Sequence, residues 1–136
     1  MFELQQIKEV GGEDFIIYNG HDEVLAGGLL MGADGAIGST FNMMPKAFIE
    51  LYHRAQQGEW DKVMNVQTVI NRVIHQLLNY DVIAFEKYIC FLQGLIQTPK
   101  TRMPLQQLAE EDAERIHSIY RQTELLHRIH DNSLHK

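Results

Sequence analysis

The sequence is short of cysteine, of positive charge and of long hydrophobic runs, and each shortage closes off a class of protein. Its 136 residues contain one cysteine, Cys90, so an internal disulfide is excluded, and the usage fits a reducing, cytoplasmic compartment. Cys90 stands in the apolar run Ile89-Cys90-Phe91-Leu92, where a free thiol ordinarily serves as a buried packing group. Twelve Lys and Arg against eighteen Asp and Glu leave a formal net charge of −6. That balance argues against nucleic acid, whose binders usually show a basic face, and against an anionic membrane surface. No apolar run approaches the roughly 20 residues that cross a bilayer. The opening stretch MFELQQIKEV is amphipathic and mixed in charge, which does not read as a signal peptide.

What is present reads as one α/β domain's worth of chain. Leu4, Ile7 and Val10 fall three apart, as on one face of a helix, and Gly11-Gly12 ends it. Residues 15–18 are a short apolar, β-branched run that stops at Asn19-Gly20. Asp22 then occupies the position of a helix N-cap, residues 24–31 carry the helix, and Gly32 closes it. Asp34-Gly35 turns the chain into a second short strand, Ala36-Ile37, followed by Gly38-Ser39-Thr40. Two parallel strands joined by one helix form a βαβ unit with polar residues after each strand. In parallel α/β folds that edge is where ligands bind.

Helical patterns fill the remainder. Pro45 suits a first turn, with Phe48, Ile49, Leu51 and Tyr52 as the apolar face of a helix ending near Gln57-Gly58. Val63, Val66, Ile70, Val73, Ile74, Leu77 and Leu78 recur at three- and four-residue steps to about Asn79. Residues 82–95 form a third helix, apolar over much of its surface. Residues 97–104, with Pro99 and Pro104, read as a loop, a last helix begins near Ala109, and 127–136 read as a polar, frayed tail. Two parallel strands leave both sheet edges open. The pattern therefore implies another copy, another chain, or a larger barrel.

Local spacing names few chemical candidates. Asp22 with Glu23 in the first helical turn is accounted for by capping and the helix dipole. The same geometry also lets short acidic side chains and backbone N–H groups meet sugar hydroxyls. Acidic residues there suit a neutral polyol better than a phosphate. The glycine-rich segment 32–38 lacks the Lys-Ser/Thr of a P-loop and the dinucleotide spacing. Ser39 and Thr40 are donors or acceptors after the second strand. His127 and His130, three apart, have no carboxylate or cysteine at a ligand spacing, so no metal and no cofactor is expected.

Tyr18-Asn-Gly-His-Asp-Glu23, then Gly-Ala-Asp-Gly-Ala-Ile-Gly-Ser-Thr40 and Asn42, resembles the N-acetylneuraminate lyase branch of the dihydrodipicolinate synthase/N-acetylneuraminate lyase family. The likeness runs from about Phe2 into residues 82–95, and more loosely to Tyr120. It implies an α/β fold: the C-terminal part of a TIM (β/α)8 barrel, its last two strands with their helices over residues 1–58, plus three C-terminal helices over 59–136. It further implies a cytosolic oligomer and reversible cleavage of N-acetylneuraminate to pyruvate and N-acetylmannosamine. By the same resemblance Gly20, Asp22, Glu23 and Ser39 match positions that bind the sugar's hydroxylated tail. Ile37 and Gly38 match backbone positions lining the pyruvate end.

One departure stands against that carry-over. The family's reaction uses a lysine that forms a Schiff base with pyruvate, a tyrosine from the fifth strand, and a Gly-Thr/Ser-rich loop near the second. The resemblance puts the lysine a few residues before Met1. Lys8, Lys46, Lys62, Lys87, Lys100 and Lys136 do not match it. No catalytic residue is therefore assigned, and the chain alone is expected not to cleave carbon–carbon bonds. Three readings follow: a C-terminal portion from a split, truncated or cut gene, a half-barrel completed by a second polypeptide, or a non-catalytic module that self-associates and binds sugars or proteins.

Overall fold

The computed structural model describes residues 2–127. Helix α1 (Phe2–Gly11) precedes strand β1 (Tyr18–Asn19), a 3-10 turn (Asp22–Val24) and α2 (Leu25–Leu30). Strand β2 (Gly35–Ala36) leads into a second 3-10 turn (Ser39–Asn42). Helices α3 (Pro45–Gln56), α4 (Trp60–Leu77), α5 (Val82–Leu92), α6 (Glu110–Gln122) and the one-turn α7 (Glu124–His127) complete the order. The strands pair in parallel, Tyr18 with Gly35 and Asn19 with Ala36. The βαβ unit expected of the sequence is present.

Strand β1 is shorter than the apolar run 15–18 suggests, and β2 is shifted in register. At β1 the ladder positions before Tyr18 are taken by side chains. Lys8 Nζ donates to the Phe15 carbonyl at 2.8 Å, and the Ile17 N–H donates to the Asp34 carboxylate at 2.8 Å. Strand β2 sits one residue earlier than Ala36-Ile37, although the Ile37 N–H still reaches the Asn19 carbonyl at 3.0 Å. Helix α5 stops three residues before the expected end at Leu95. Gly94 adopts φ +74°, and the Leu95 N–H turns back to the Cys90 carbonyl, a left-handed glycine ending. Gly32 closes α2 as its spacing predicts, with φ +96°. The tail beyond residue 127 lies outside the described residues.

Burial follows the helical periods. On α4, Val63, Ile70, Val73 and Leu77 are all at most 3% exposed, so one stripe faces inward and the rest meets solvent. That stripe shares one buried cluster with Leu25, Met43, Met44, Phe48 and Leu51 from the preceding segment and with Phe85, Ile89, Ile116 and Leu126 from the following helices. One core thus runs beneath the βαβ unit and through α4–α7. On the other side, Phe15, Ile16, Tyr18 and Ile37 are exposed, leaving apolar surface along the two strands. Cys90 is buried. Its Sγ lies 3.9 Å from the Asn42 carbonyl, and burial pushes the thiol's pKa up, assisted by the Glu86 charge.

Candidate functional site

The C-terminal ends of the two strands are joined by one carboxylate. Asp22 follows β1 and Thr40 follows β2. Asp22 Oδ2 accepts from the Thr40 N–H at 3.0 Å and from Thr40 Oγ1 at 2.5 Å. Both residues are buried, Asp22 at 8% and Thr40 at 5% exposure. The N-cap role expected for Asp22 is not what the chain does. His21 precedes the 3-10 turn, no side chain caps it, and the true α-helix begins at Leu25. The reason is competition. Thr40 offers a buried carboxylate two donors at once, whereas a cap would supply one or two backbone N–H groups near solvent.

Gly38 makes that bridge possible. A Cβ at residue 38 would stand 1.7 Å from Asp22 Oδ1 and 2.3 Å from its Cγ. The backbone there is extended, with φ −154°, so closeness of approach, and no unusual torsion, requires glycine. Gly28 is constrained in the same way by Asn19, whose Oδ1 would lie 2.6 Å from an added Cβ. Asn19 is buried and its amide donates to the His21 carbonyl at 2.7 Å, shaping the turn after β1.

Gly20, Asp22, Glu23 and Ser39 line one cleft of about 200 Å³, together with Thr40, Ile74, Leu77, Leu78 and Val82. Four of the six residues singled out in the sequence therefore face a common space. Ile37 and Gly38 are not among its lining. Ile37 is 69% exposed, on the apolar side of the strands. Glu23 is open to solvent, 3.6 Å from His21 Nδ1.

The helical half holds both loops. Gln67 on α4 is 4% exposed. Its Oε1 accepts from the Ala26 N–H at 2.9 Å, and its Nε2 donates to the Asp22 carbonyl at 3.1 Å and to Asn71 Oδ1 at 2.9 Å. Asn71 Nδ2 donates to the Glu23 carbonyl at 2.9 Å. On α5, Glu86 Oε1 accepts from Ser39 Oγ at 2.6 Å. Burial raises the Glu86 carboxyl above the usual carboxylate range. The Ser39 bond opposes the shift and the Asp22 charge adds to it. Sequence reasoning missed all three residues, yet a signal existed. Gln67 lies four after Val63 and three before Ile70. Glu86 lies four after Val82 and three before Ile89. A polar residue in register with a buried stripe has to find a partner.

Among the described residues, no group of three or more His, Cys, Asp or Glu could hold a metal ion, and no helix is long and apolar enough to cross a membrane.

Two parallel strands with a connecting helix, short polar loops at their C-terminal ends and covering helices define an α/β chain, mostly helical with a small parallel sheet. The chain belongs to the dihydrodipicolinate synthetase family, whose model matches residues 1–123. It is 34% identical over 114 residues to N-acetylneuraminate lyase 2 of Escherichia coli O6:H1, covering 84% of this chain and 37% of that enzyme. It is 34% identical over 111 residues to N-acetylneuraminate lyase of Salmonella agona, covering 82% of this chain and 37% of that one. Among solved structures, wild-type sialic acid aldolase of Ruminococcus gnavus superposes with a TM-score of 0.83 at 28% identity, covering 92% of this chain and 41% of the other. N-acetylneuraminate lyase of Fusobacterium nucleatum complexed with pyruvate gives a TM-score of 0.83 at 24% identity, with 90% and 41% covered, a likeness of fold alone. These neighbours are TIM-barrel lyases. The chain thus spans well under half the length of the relatives it matches.

Proposed function

We propose that this chain is the C-terminal part of an N-acetylneuraminate lyase barrel and supplies the half of the pocket that holds the sugar's hydroxylated tail. Residues 1–58 contribute the last two strands with their helices, and 59–136 the helical extension. The observation that carries the reading is the Asp22–Thr40 bridge. It draws the loops after two parallel strands onto one cleft, where Gly20, Asp22, Glu23 and Ser39 offer acceptors and backbone groups to hydroxyls. A cleft whose charges are carboxylates favours a neutral polyol over a phosphate. Ile37 and Gly38 serve the pyruvate end through their backbones once the remaining strands are in place.

Cleavage of the carbon–carbon bond needs a nucleophilic amine against pyruvate. None of this chain's lysines matches that role, so the chain alone is not catalytic. A polypeptide carrying the first six strands would complete the barrel in the cytoplasm, and the exposed Phe15, Ile16, Tyr18 and Ile37 are the surface it would cover. Co-expression with the six-strand half of a family member tests this. Copurification and recovered cleavage of N-acetylneuraminate are expected, and failure of the halves to associate contradicts the proposal. The same apolar strip also favours a second reading, in which another copy covers it in a non-catalytic oligomer. Light scattering on the chain alone separates the two.

A further inference from the structure

Apart from its bond to the loop after β2, Glu86 has no role in the cleft described above. It sits on α5, 47 residues from Ser39 in sequence, is 7% exposed and is not among the residues lining the cleft. A buried carboxylate is costly unless it is hydrogen-bonded. The hydroxyl that satisfies Glu86 belongs to Ser39, which is itself exposed to the cleft.

We infer that Glu86 is a positioning residue: by accepting the single hydroxyl proton of Ser39, it leaves Ser39 with only lone pairs toward the cleft, so this subsite takes a ligand group that donates a hydrogen bond. A serine hydroxyl has one proton and two acceptor lone pairs. At 2.6 Å the proton is committed to Oε1, in the short range of charge-assisted O–H···O⁻ bonds. The Ser39 oxygen is then oriented from behind by a rigid helix. A sugar hydroxyl meets this requirement as donor. A carbonyl or ether oxygen at the same place would face a second acceptor and be rejected. The inference rests on the proposed sugar-binding role of the cleft and names the polarity that role would have.

The test uses the full chain, nitrogen-15 labelled and titrated with N-acetylneuraminate, with amide shifts followed at Gly20, Asp22 and Ser39. Glu86→Gln still offers a side-chain oxygen to Ser39 and is expected to bind within about twofold of the parent. Glu86→Ala is expected to weaken binding about tenfold. Ser39→Ala should be as weak as Glu86→Ala, and the double variant no weaker than either. Equal binding by the parent and Glu86→Ala, or effects that add in the double variant, overturn the inference while leaving the sugar site standing. No shift at any of the three amides in the parent chain refutes the sugar site and the inference with it. A second measurement needs no sugar and no Glu86→Ala protein. Ser39→Ala should raise the midpoint of the Glu86 carboxyl carbon in a carbon-13 titration, and an unmoved midpoint overturns the inference.

Discussion

Gly38 and Asp22 occupy each other's space: a methyl group on residue 38 would lie 1.7 Å from Asp22 Oδ1. The glycine after β2 is therefore part of the carboxylate's binding pocket and not merely a flexible joint. Gly38→Ala must push Asp22 off Thr40 or move the loop. It should cost about 2–4 kcal/mol, the range of disruptive buried changes, read as a fall in denaturation midpoint. Asp22→Gly removes the clashing atoms. The double variant should accordingly lose markedly less than the sum of the two single losses. Strict additivity in a double-mutant cycle would show that the two residues do not constrain each other.

Thr40→Val isolates one bond of the bridge. The replacement keeps the shape and deletes the hydroxyl that donates to Asp22 at 2.5 Å, while the backbone N–H bond at 3.0 Å remains. A buried charged acceptor losing one donor should cost about 1–3 kcal/mol. Thr40→Ser should recover most of that loss in chemical denaturation, because the donor is restored. A Thr40→Val variant as stable as the parent would show that the hydroxyl bond to Asp22 contributes nothing.

Glu86 makes stability depend on pH in a direction opposite to most carboxylates. Its folded-state pKa is raised by burial, so between the unfolded value, about 4.3, and the raised folded value the native state holds more protons than the unfolded one. Stability then falls as pH rises through that window. Glu86→Gln has no such proton to lose. Its melting temperature relative to the parent should therefore increase as pH rises from about 4. A constant difference across the window would place the titration elsewhere.

Asp34 runs the other way. Its carboxyl is held below the usual range by the Ile17 N–H first and Lys8 second, with Lys8 Nζ at 3.0 Å. A depressed folded pKa gives stability that is present above the unfolded value, about 3.9, and lost as pH falls through the folded one. The stability gap between the parent and Asp34→Asn should shrink on acidification across that range. A gap that stays fixed to the lowest pH contradicts the sign. Because the site is open to solvent, the gap should also narrow in high salt.

How much of this was legible in the chain differs by element. The stripe through Val63, Ile70, Val73 and Leu77 announced α4 because periodic burial leaves a direct trace in residue order. The βαβ unit was legible from two short apolar runs bounded by turn residues, together with Gly32 as its helix stop. The start of β1 was not, since the Lys8 and Asp34 side chains bind the backbone of Phe15 and Ile17. The role of Asp22 was not either. A capping position is a local pattern, whereas its actual partner, Thr40, lies 18 residues away. Gly20, Asp22, Glu23 and Ser39 stand out as candidates in the sequence, whereas Glu86 and Gln67 do not. Their positions inside buried stripes carried the missing signal.

Pyruvate with borohydride, read by intact mass, separates a chain that offers only the proposed sugar-tail loops from one that also carries the reactive amine. A Schiff base would be reduced to a stable adduct on whichever polypeptide carries the lysine. No adduct is expected on this chain, either alone or mixed with a six-strand barrel half, and an adduct is expected on that half in the mixture. Covalent pyruvate on Lys8, Lys46 or any other lysine of this chain would contradict the proposal.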